Sequence, residues 1–104
     1  MRVICVIPSF NEEQTIGWIV AKLTSAGYGV VVVDDGSSDQ TAKLARQSGA
    51  EVMVNRHNLG KGASLRRAFA ILKEREDYDV VVMMDADGQH LPSDIPLFLK
   101  HYRH

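Results

Sequence analysis

Residues 79–90, DVVVMMDADGQH, contain an apolar run that ends in two carboxylates with one small residue between them. The apolar residues at positions 80–84 are mostly β-branched, and their continuity is typical of a strand covered on both faces of a parallel sheet. Asp85 and Asp87 stand two positions apart, so they point to the same side if the chain stays extended through Ala86. The stretch therefore predicts a buried strand that delivers acidic side chains to one edge of a sheet.

The carboxylates of Asp85 and Asp87, with the amide of Gln89, form an oxygen-rich set of the kind that Mg²⁺ or Mn²⁺ prefers. Such ions keep open positions for water and for substrate phosphates, so one or two carboxylates and an amide are chemically sufficient. Asp and Gly also favour ordinary turns for purely local reasons, and Gly88 follows the second carboxylate. On this segment alone, a metal site and a simple turn are equal alternatives.

The composition is that of one soluble globular domain. The chain has 104 residues, of which 45% are hydrophobic and 24% charged, and these values are ordinary for such a domain. The net charge of −1 gives no reason to expect nucleic-acid binding. We find neither a run of the ~20 apolar residues that a membrane span needs nor a signal-like N-terminus, so we expect a cytoplasmic location. The single Cys5 is interpreted as a small buried hydrophobe.

Four apolar runs predict strands and four amphipathic patterns predict helices, in strict alternation. The strands are β1 at residues 2–7, β2 at 30–33, β3 at 51–55 and β4 at 80–84, and Pro8 is expected to close the first because it cannot donate to a ladder. The helices carry apolar residues at helical spacing: Ile16, Ile19, Val20 and Leu23 in α1; Ala42, Leu44 and Ala45 in α2; Leu65, Ala68, Phe69 and Leu72 in α3; Ile95, Phe98, Leu99 and Tyr102 in α4.

Helix starts are predicted from residues that favour helix N-termini. Asn11 would cap α1, and Ser37 or Ser38 would cap α2. Helix α3 is expected to begin near Gly60, and α4 is expected to follow Pro92.

The order β1-α1-β2-α2-β3-α3-β4-α4 predicts a parallel α/β sheet with right-handed crossovers and helices on both faces. In such sheets, ligands bind beyond the carboxyl ends of the strands, near a switch in strand order. The loops that follow the four strands, at residues 8–12, 34–39, 55–61 and 85–90, would therefore rim one edge of the sheet. We expect their polar residues to form a single site.

Taken together, these four loops resemble those of the inverting family 2 glycosyltransferases. PSFNEE follows β1, VVVVDDGSSD covers β2 and its loop, NLGKGASLRRAF opens α3 and DADGQH follows β4. The match runs along the whole chain. The Gln and His of the last motif are most similar to the branch that transfers a hexose from a nucleotide sugar to a polyprenyl or dolichyl phosphate.

The resemblance implies the GT-A fold, in which a Rossmann-like, nucleotide-binding α/β half precedes an acceptor half. Residues 1–104 would be a single nucleotide-sugar-binding domain, truncated relative to the full catalytic domain. The donor would be a UDP- or GDP-hexose, the cofactor Mg²⁺ or Mn²⁺, and the acceptor of the full-length enzyme a polyprenyl phosphate at the cytoplasmic face of a membrane. The general base would lie in the half that is absent here.

The resemblance also implies roles for residues of the first two loops. Pro8, Phe10 and Glu12 would line the nucleoside pocket. Asp34 or Asp35 would supply a carboxylate for the edge of the uracil or guanine base. Asp35 is favoured for this role, because alternation along the strand sends its neighbour the other way.

The phosphate and metal roles fall on the other two loops. Asp85 would face the ribose or the metal beside Ala86, Asp87 would hold the metal between the two phosphates, and Gln89 would complete the shell. Lys61 would assist with phosphate or with orientation, and Arg67 is a further candidate for this role.

Two other classes of function remain open at this stage. The chain could be a non-catalytic nucleotide-binding or assembly module that keeps the motifs without the reaction, and an uncovered β4 edge would let it self-associate. A phosphoryl-transfer or receiver-type domain with an acidic Mg²⁺ pocket is the third interpretation. That class would need acidic residues after β1, where this chain has Ser9 and Asn11.

Overall fold

The computed structural model describes residues 2–86 and, for their backbone, residues 100–101. Three helices and five strands occur in this part of the chain, and the strands form one sheet in the order β3-β2-β1-β4-β5. The elements are β1 (Val3–Ser9), α1 (Ile16–Ser25), β2 (Gly29–Asp34), α2 (Thr41–Gln47), β3 (Glu51–Val54), α3 (Lys61–Leu72), β4 (Val80–Met83) and β5 (Lys100–His101).

The first four strands are parallel, as predicted. β1 is central and pairs with β2 on one side and β4 on the other, and β2 pairs with β3 at the edge. Because right-handed crossovers connect parallel neighbours, this order places helices on both faces of the sheet. The predicted α/β class is confirmed.

Alternation along the strands divides the core into two layers. Val30 and Val32 of β2 pack in the layer that contains α1 and α2, whereas Val31 and Val33 pack in the layer that contains α3. Both layers are apolar, which explains why the central strands read as continuous hydrophobic runs rather than as an alternating pattern. Cys5 is fully buried in the first layer, and burial raises the pKa of its thiol to about 11.

Strand β1 runs through Pro8 to Ser9, so the prediction that Pro8 closes it is wrong. The carbonyl of Val6 accepts a hydrogen bond from the N–H of Met84. Since backbone groups alternate in direction along a strand, the nitrogen of Pro8 faces the same side, beyond the point where β4 ends at Met83. The missing N–H therefore falls just past the last observed hydrogen bond between β1 and β4, where the ladder ends.

Two predicted helix caps are also wrong. Helix α1 begins at Ile16 rather than directly after Asn11, and α2 begins at Thr41 rather than after Ser37 or Ser38. These three polar residues bond to one another across two loops instead, as described below. Helix α3 begins at residue 61, as predicted from Gly60.

The prediction of α4 falls mostly on residues outside the described part of the chain. Within it, Lys100 and His101 form a strand that pairs antiparallel with Val80 and Val81. The predicted helix is therefore wrong at these two positions. The prediction of an uncovered β4 edge is also wrong at Val80 and Val81, because β5 pairs with β4 there.

None of the helices in residues 2–86 is long and apolar enough to span a bilayer.

The two neighbouring residues Leu72 and Ile71 provide a test of the α3 layer. The Leu72 side chain is fully buried, whereas Ile71 is 44% exposed. We expect Leu72→Ala to lower the free energy of unfolding by about 2–5 kcal/mol, because it leaves a cavity between α3 and the sheet. Ile71→Ala is the matched control and should cost less than about 1 kcal/mol. Urea denaturation measures both, and equal losses would contradict the assigned face of α3.

Candidate functional site

A cleft of about 360 Å³ lies at the carboxyl ends of β1, β2 and β4. It contains most of the residues that the sequence predicted for a ligand site. Asp34 and Arg67 do not line it, and Asp87 and Gln89 lie outside the described residues. The lining residues are Pro8, Ser9, Phe10, Glu12, Asp35, Asn58, Gly60, Lys61, Ser64, Asp85 and Ala86. All four polar loops contribute, so the prediction that they meet at one edge of the sheet is confirmed.

The loops after β1 and β2 are tied together by side-chain hydrogen bonds. The N–H of Asn11 donates to the Ser37 hydroxyl at 2.9 Å, and the N–H of Ser38 donates to the Asn11 side-chain oxygen at 2.9 Å. The N–H of Glu12 donates to the Thr41 hydroxyl at 2.9 Å. Asn11 adopts a positive φ of 52°, which places both its backbone and its side chain against the second loop. These bonds fix the segment that carries Phe10 and Glu12 at the cleft.

Asp34 is buried and serves its own loop. Its Oδ1 accepts a hydrogen bond from the N–H of Ser37 at 3.0 Å, and its carbonyl accepts one from the N–H of Asn55. Alternation along β2 turns this side chain toward the α1 and α2 layer, so it does not line the cleft.

Asp35 faces the α3 layer and lines the cleft, but protein donors surround its carboxylate. The N–H groups of Leu59 and Gly60 donate to it at 2.7 Å and 2.9 Å, and the Asn55 amide donates at 3.0 Å. Burial alone would raise the pKa of Asp35, but the hydrogen bonds from Leu59, Asn55, Ser64 and Gly60 outweigh it and hold the pKa below its usual value. These hydrogen bonds therefore favour the ionised form of this carboxylate.

Asn55 connects Asp35 to helix α3. Its amide also donates to the Ser64 hydroxyl at 2.8 Å, and its side-chain oxygen accepts a hydrogen bond from Arg67. Arg67 donates as well to the carbonyl of Val54 at 3.3 Å. The predicted assistance of Arg67 with orientation is therefore favoured over direct phosphate contact, since its guanidinium is directed at the protein and it does not line the cleft.

Lys61 and Asp85 face each other across the cleft and form an ion pair. Both are partly exposed, with 60% of the lysine side chain and 42% of the aspartate side chain accessible. The segment that carries Asp85 is held from the other side, because the Thr15 hydroxyl donates to the carbonyl of Ala86. Solvent screens an exposed pair, so it can open when a charged ligand competes for either partner.

The predicted metal ligands can be tested only in part. In residues 2–86, no three His, Cys, Asp or Glu side chains come together in an arrangement that could hold a metal. Asp87 and Gln89 lie outside the described residues. Asp85 presents a partly exposed carboxylate, a hard oxygen donor, to Lys61 at the cleft, and its role as a metal ligand stays a prediction.

The sequence reasoning missed Ser9, Asn58 and Ser64, all of which line the cleft. Ser64 carried a signal that could have revealed it. It stands four residues before Ala68 and eight before Leu72, on the stripe that α3 buries, and a polar residue on a buried stripe requires a partner. Asn58 carried no comparable signal, because its loop has no periodicity.

Three comparisons with known proteins agree with one another. The family model described as glycosyl transferase family 2 matches residues 4–104. An undecaprenyl-phosphate mannosyltransferase of Micrococcus luteus is 36% identical over 110 residues, covering 99% of this chain and 45% of the relative. The chain thus spans less than half the length of this relative.

Solved structures share the fold. Mannosyl-3-phosphoglycerate synthase from Rubrobacter xylanophilus matches with a TM-score of 0.72 and 30% identity, covering 88% of this chain and 32% of that one. Glucosyl-3-phosphoglycerate synthase from Mycobacterium tuberculosis, in a complex with Mg²⁺ and uridine diphosphate, matches with a TM-score of 0.67 and 30% identity over 82% of this chain and 33% of that one.

Substitutions at Asn11 test the bonds between the first two loops. Asn11→Ala removes the acceptor for Ser38 and places a side chain that disfavours positive φ at this position, so we expect a loss of about 2 kcal/mol in the free energy of unfolding. Asn11→Gly removes the same acceptor without the conformational cost and should lose roughly 1 kcal/mol less. Urea denaturation measures the difference. Equal losses would mean that the backbone conformation at this residue costs nothing.

The lowered pKa of Asp35 predicts an acid dependence of stability. A carboxyl group whose pKa is lower in the folded state adds stability above its unfolded pKa of ~3.9, and this contribution is lost as the pH falls through the folded pKa. We therefore expect the difference in unfolding free energy between the wild type and Asp35→Asn to be largest near neutral pH and to shrink below pH ~4. Denaturation at several pH values measures it. A constant difference would show that Asp35 is not ionised in the fold.

Proposed function

This chain belongs to glycosyltransferase family 2, and we propose that it forms the half of a hexosyltransferase that binds a nucleotide sugar with a divalent metal. The observation that supports the proposal most directly is the cleft, where Phe10, Lys61 and Asp85 from three separate loops line one cavity. An aromatic ring, a cation and a carboxylate match the three parts of a metal-bound nucleotide, namely its base, its phosphates and its ion.

The nucleoside would occupy the part of the cleft lined by the β1 loop. The Phe10 side chain is 45% exposed beside Pro8 and Glu12, so its ring is accessible to a flat base. The resemblance assigns recognition of the base edge to Asp34 or Asp35, and that assignment stays a prediction. Asp34 does not line the cleft, and Asp35 already accepts several hydrogen bonds.

The diphosphate would lie between Lys61 and Asp85. The ammonium of Lys61 would move from Asp85 to the phosphates, and Asp85 would then hold a divalent ion with Asp87 and Gln89. When bound, Mg²⁺ or Mn²⁺ would neutralise the diphosphate leaving group as a Lewis acid. Lys61 would contribute fixed positive charge near the same oxygens, and such charge is most effective when it is preorganised.

The acceptor would be a polyprenyl phosphate bound by a part of the protein beyond this half, and the hexose would transfer with inversion. The name of the Micrococcus luteus relative supports this choice of acceptor. A phosphate is already anionic and needs less help from a general base than a sugar hydroxyl does.

Calorimetric titration tests the proposal. We expect the protein to bind UDP or GDP, and to bind the preferred nucleotide more tightly with Mn²⁺ present. Asp85→Asn and Asp87→Ala should each weaken binding about tenfold or more in the presence of Mn²⁺, because each removes a charged ligand. Without Mn²⁺, the two substitutions should have little effect.

The control is Asp77→Asn, which makes the same chemical change at the other end of the sheet. Asp77 pairs with Arg75 beside a cavity lined by the first residues of β1 and β2. This variant should bind as the wild type does. A folded wild type that binds neither nucleotide, or binding that is indifferent to both Mn²⁺ and Asp85, would refute the proposal.

A further inference from the structure

We propose that Thr15 is a positioning residue, whose hydroxyl holds the backbone at Ala86 so that the carboxylate of Asp85 is oriented toward a metal-bound diphosphate in the cleft. The inference deepens the proposed function and depends on it for the identity of the ligand. Within residues 2–86, the cleft is lined by Asp85 and Ala86 but not by Thr15, which acts through them.

The first argument concerns the use that the fold makes of the Thr15 hydroxyl. Thr15 stands at the N-cap of α1, where a threonine side chain usually accepts a hydrogen bond from an amide of the first turn, but it makes no such bond within the described residues. It donates instead to the carbonyl of Ala86 at 2.5 Å, 71 residues along the chain. A residue type suited to a local cap therefore serves a distant loop.

The hydroxyl carries a single proton, so its two neighbouring acceptors must be compared. The carbonyl of Glu12 lies 3.5 Å from the Thr15 hydroxyl oxygen, and the carbonyl of Ala86 lies at 2.5 Å. The Glu12 carbonyl already accepts the N–H groups of Thr15 at 3.1 Å and Ile16 at 2.9 Å, which occupy its two lone pairs. The shorter distance and the occupied competitor both assign the proton to Ala86.

The second argument concerns the backbone on either side of Asp85. Met84, the residue before it, donates its N–H to the carbonyl of Val6 at 3.1 Å. The next bond of that ladder would need an N–H from residue 8, which is a proline. The carbonyl of Ala86 lies beyond this point, and the threonine hydroxyl holds the chain there. Asp85 is thus anchored through both of its neighbours.

Packing of the Ala86 side chain supports the same placement without replacing the hydrogen bond. The residue is 3% exposed and belongs to the core layer of α1 and α2. A methyl group fixes where the residue lies, whereas a hydrogen bond to the carbonyl also fixes how the peptide plane is turned. Alternation along an extended chain then directs the Asp85 side chain to the opposite side, where Lys61 of α3 faces it.

Anchoring through the neighbours leaves the carboxylate itself available to a ligand. The Asp85 side chain is 42% exposed, and its partner is the ammonium of Lys61, which a metal ion can replace because the pair is open to solvent. The fold therefore presents an oxygen ligand whose backbone is already in place. Fixed charge of this kind is most effective at a diphosphate when it is preorganised.

Calorimetric titration of Thr15→Val with UDP and with GDP, each with and without Mn²⁺, tests the inference, because valine keeps the shape of threonine and removes the hydroxyl. For the nucleotide that the wild type prefers, we expect the affinity with Mn²⁺ to fall about fivefold or more and the affinity without Mn²⁺ to stay within about twofold. Thr15→Ser keeps the hydroxyl and should bind within about twofold of the wild type under both conditions.

Two further variants separate positioning from a general loss of stability. Thr24→Val is the matched control, since it removes a hydroxyl that donates to the carbonyl of Ala21 near the other end of α1, and it should bind as the wild type does. In an Asp85→Asn background, Thr15→Val should have a smaller effect than in the wild type, because the carboxylate that it positions is already replaced. Equal weakening with and without Mn²⁺, or full additivity with Asp85→Asn, would overturn the proposal.

NMR spectroscopy without nucleotide or metal provides a readout that does not depend on the proposed function. The carbonyl carbon resonance of Ala86 should shift in Thr15→Val, and the order parameters of the Asp85 and Ala86 amides should fall, whereas Thr24→Val should change neither. If Thr15→Val does not fold, the wild type still decides. Its Thr15 hydroxyl proton should exchange with water more slowly than that of Thr24, and equal exchange would overturn the proposal.

The outcomes separate the two proposals. If the wild type binds neither nucleotide, the proposed function fails, and the NMR measurements still establish or refute Thr15 as the residue that orders the backbone at Ala86. If the wild type binds a nucleotide more tightly with Mn²⁺ and Thr15→Val does so equally well, the proposed function stands and the positioning role is refuted.

Discussion

The parallel pairing of β1 with both β2 and β4 is the constraint on which the rest of the structure depends. Because all three strands run in the same direction, their carboxyl ends meet at one edge, and the loops that follow them share a cleft. The pairing also buries both faces of the central strands, so the side chains before their carboxyl ends serve packing. Polar residues then appear where the strands stop, and several of them line the cleft there.

The acidic residues at the end of β2 and those after β4 have different roles at the cleft. Asp34 and Asp35 accept hydrogen bonds from backbone amides and from neighbouring side chains, so their charge organises the loops. Asp85 instead faces the side chain of a partly exposed lysine, which a ligand or an ion can replace. Aspartate at the end of β2 therefore holds loops together, whereas aspartate after β4 has a partner that can be replaced. The hydrogen-bond donors that the surrounding loops present account for this difference.

Much of the fold could be predicted from local pattern, and the errors share a cause. Runs of β-branched residues and helical stripes depend on near neighbours, so four strands and three helices were predicted at close to their observed positions. Asn11, by contrast, looks like a cap for the helix that follows it, yet it bonds to Ser37 and Ser38, 26 and 27 residues away. Strand β5 and the hydrogen bonds of the Asn55 side chain likewise depend on partners that are distant in the sequence. A single sequence contains no local signal for a partner that only the tertiary fold supplies.

Proline at position 8 has a consequence for the boundary of the cleft. Strand β1 extends three residues past Val6, its last residue paired with β4, and an ordinary residue at position 8 would present an N–H that another strand could use to extend the sheet. Proline offers no such donor, so the next hydrogen bond of the ladder, which would run from residue 8 to β4, cannot form. In the part of the chain that the structure describes, backbone pairing between β1 and β4 thus ends at Val6 and Met83, and the residues beyond this point line the cleft instead of extending the sheet.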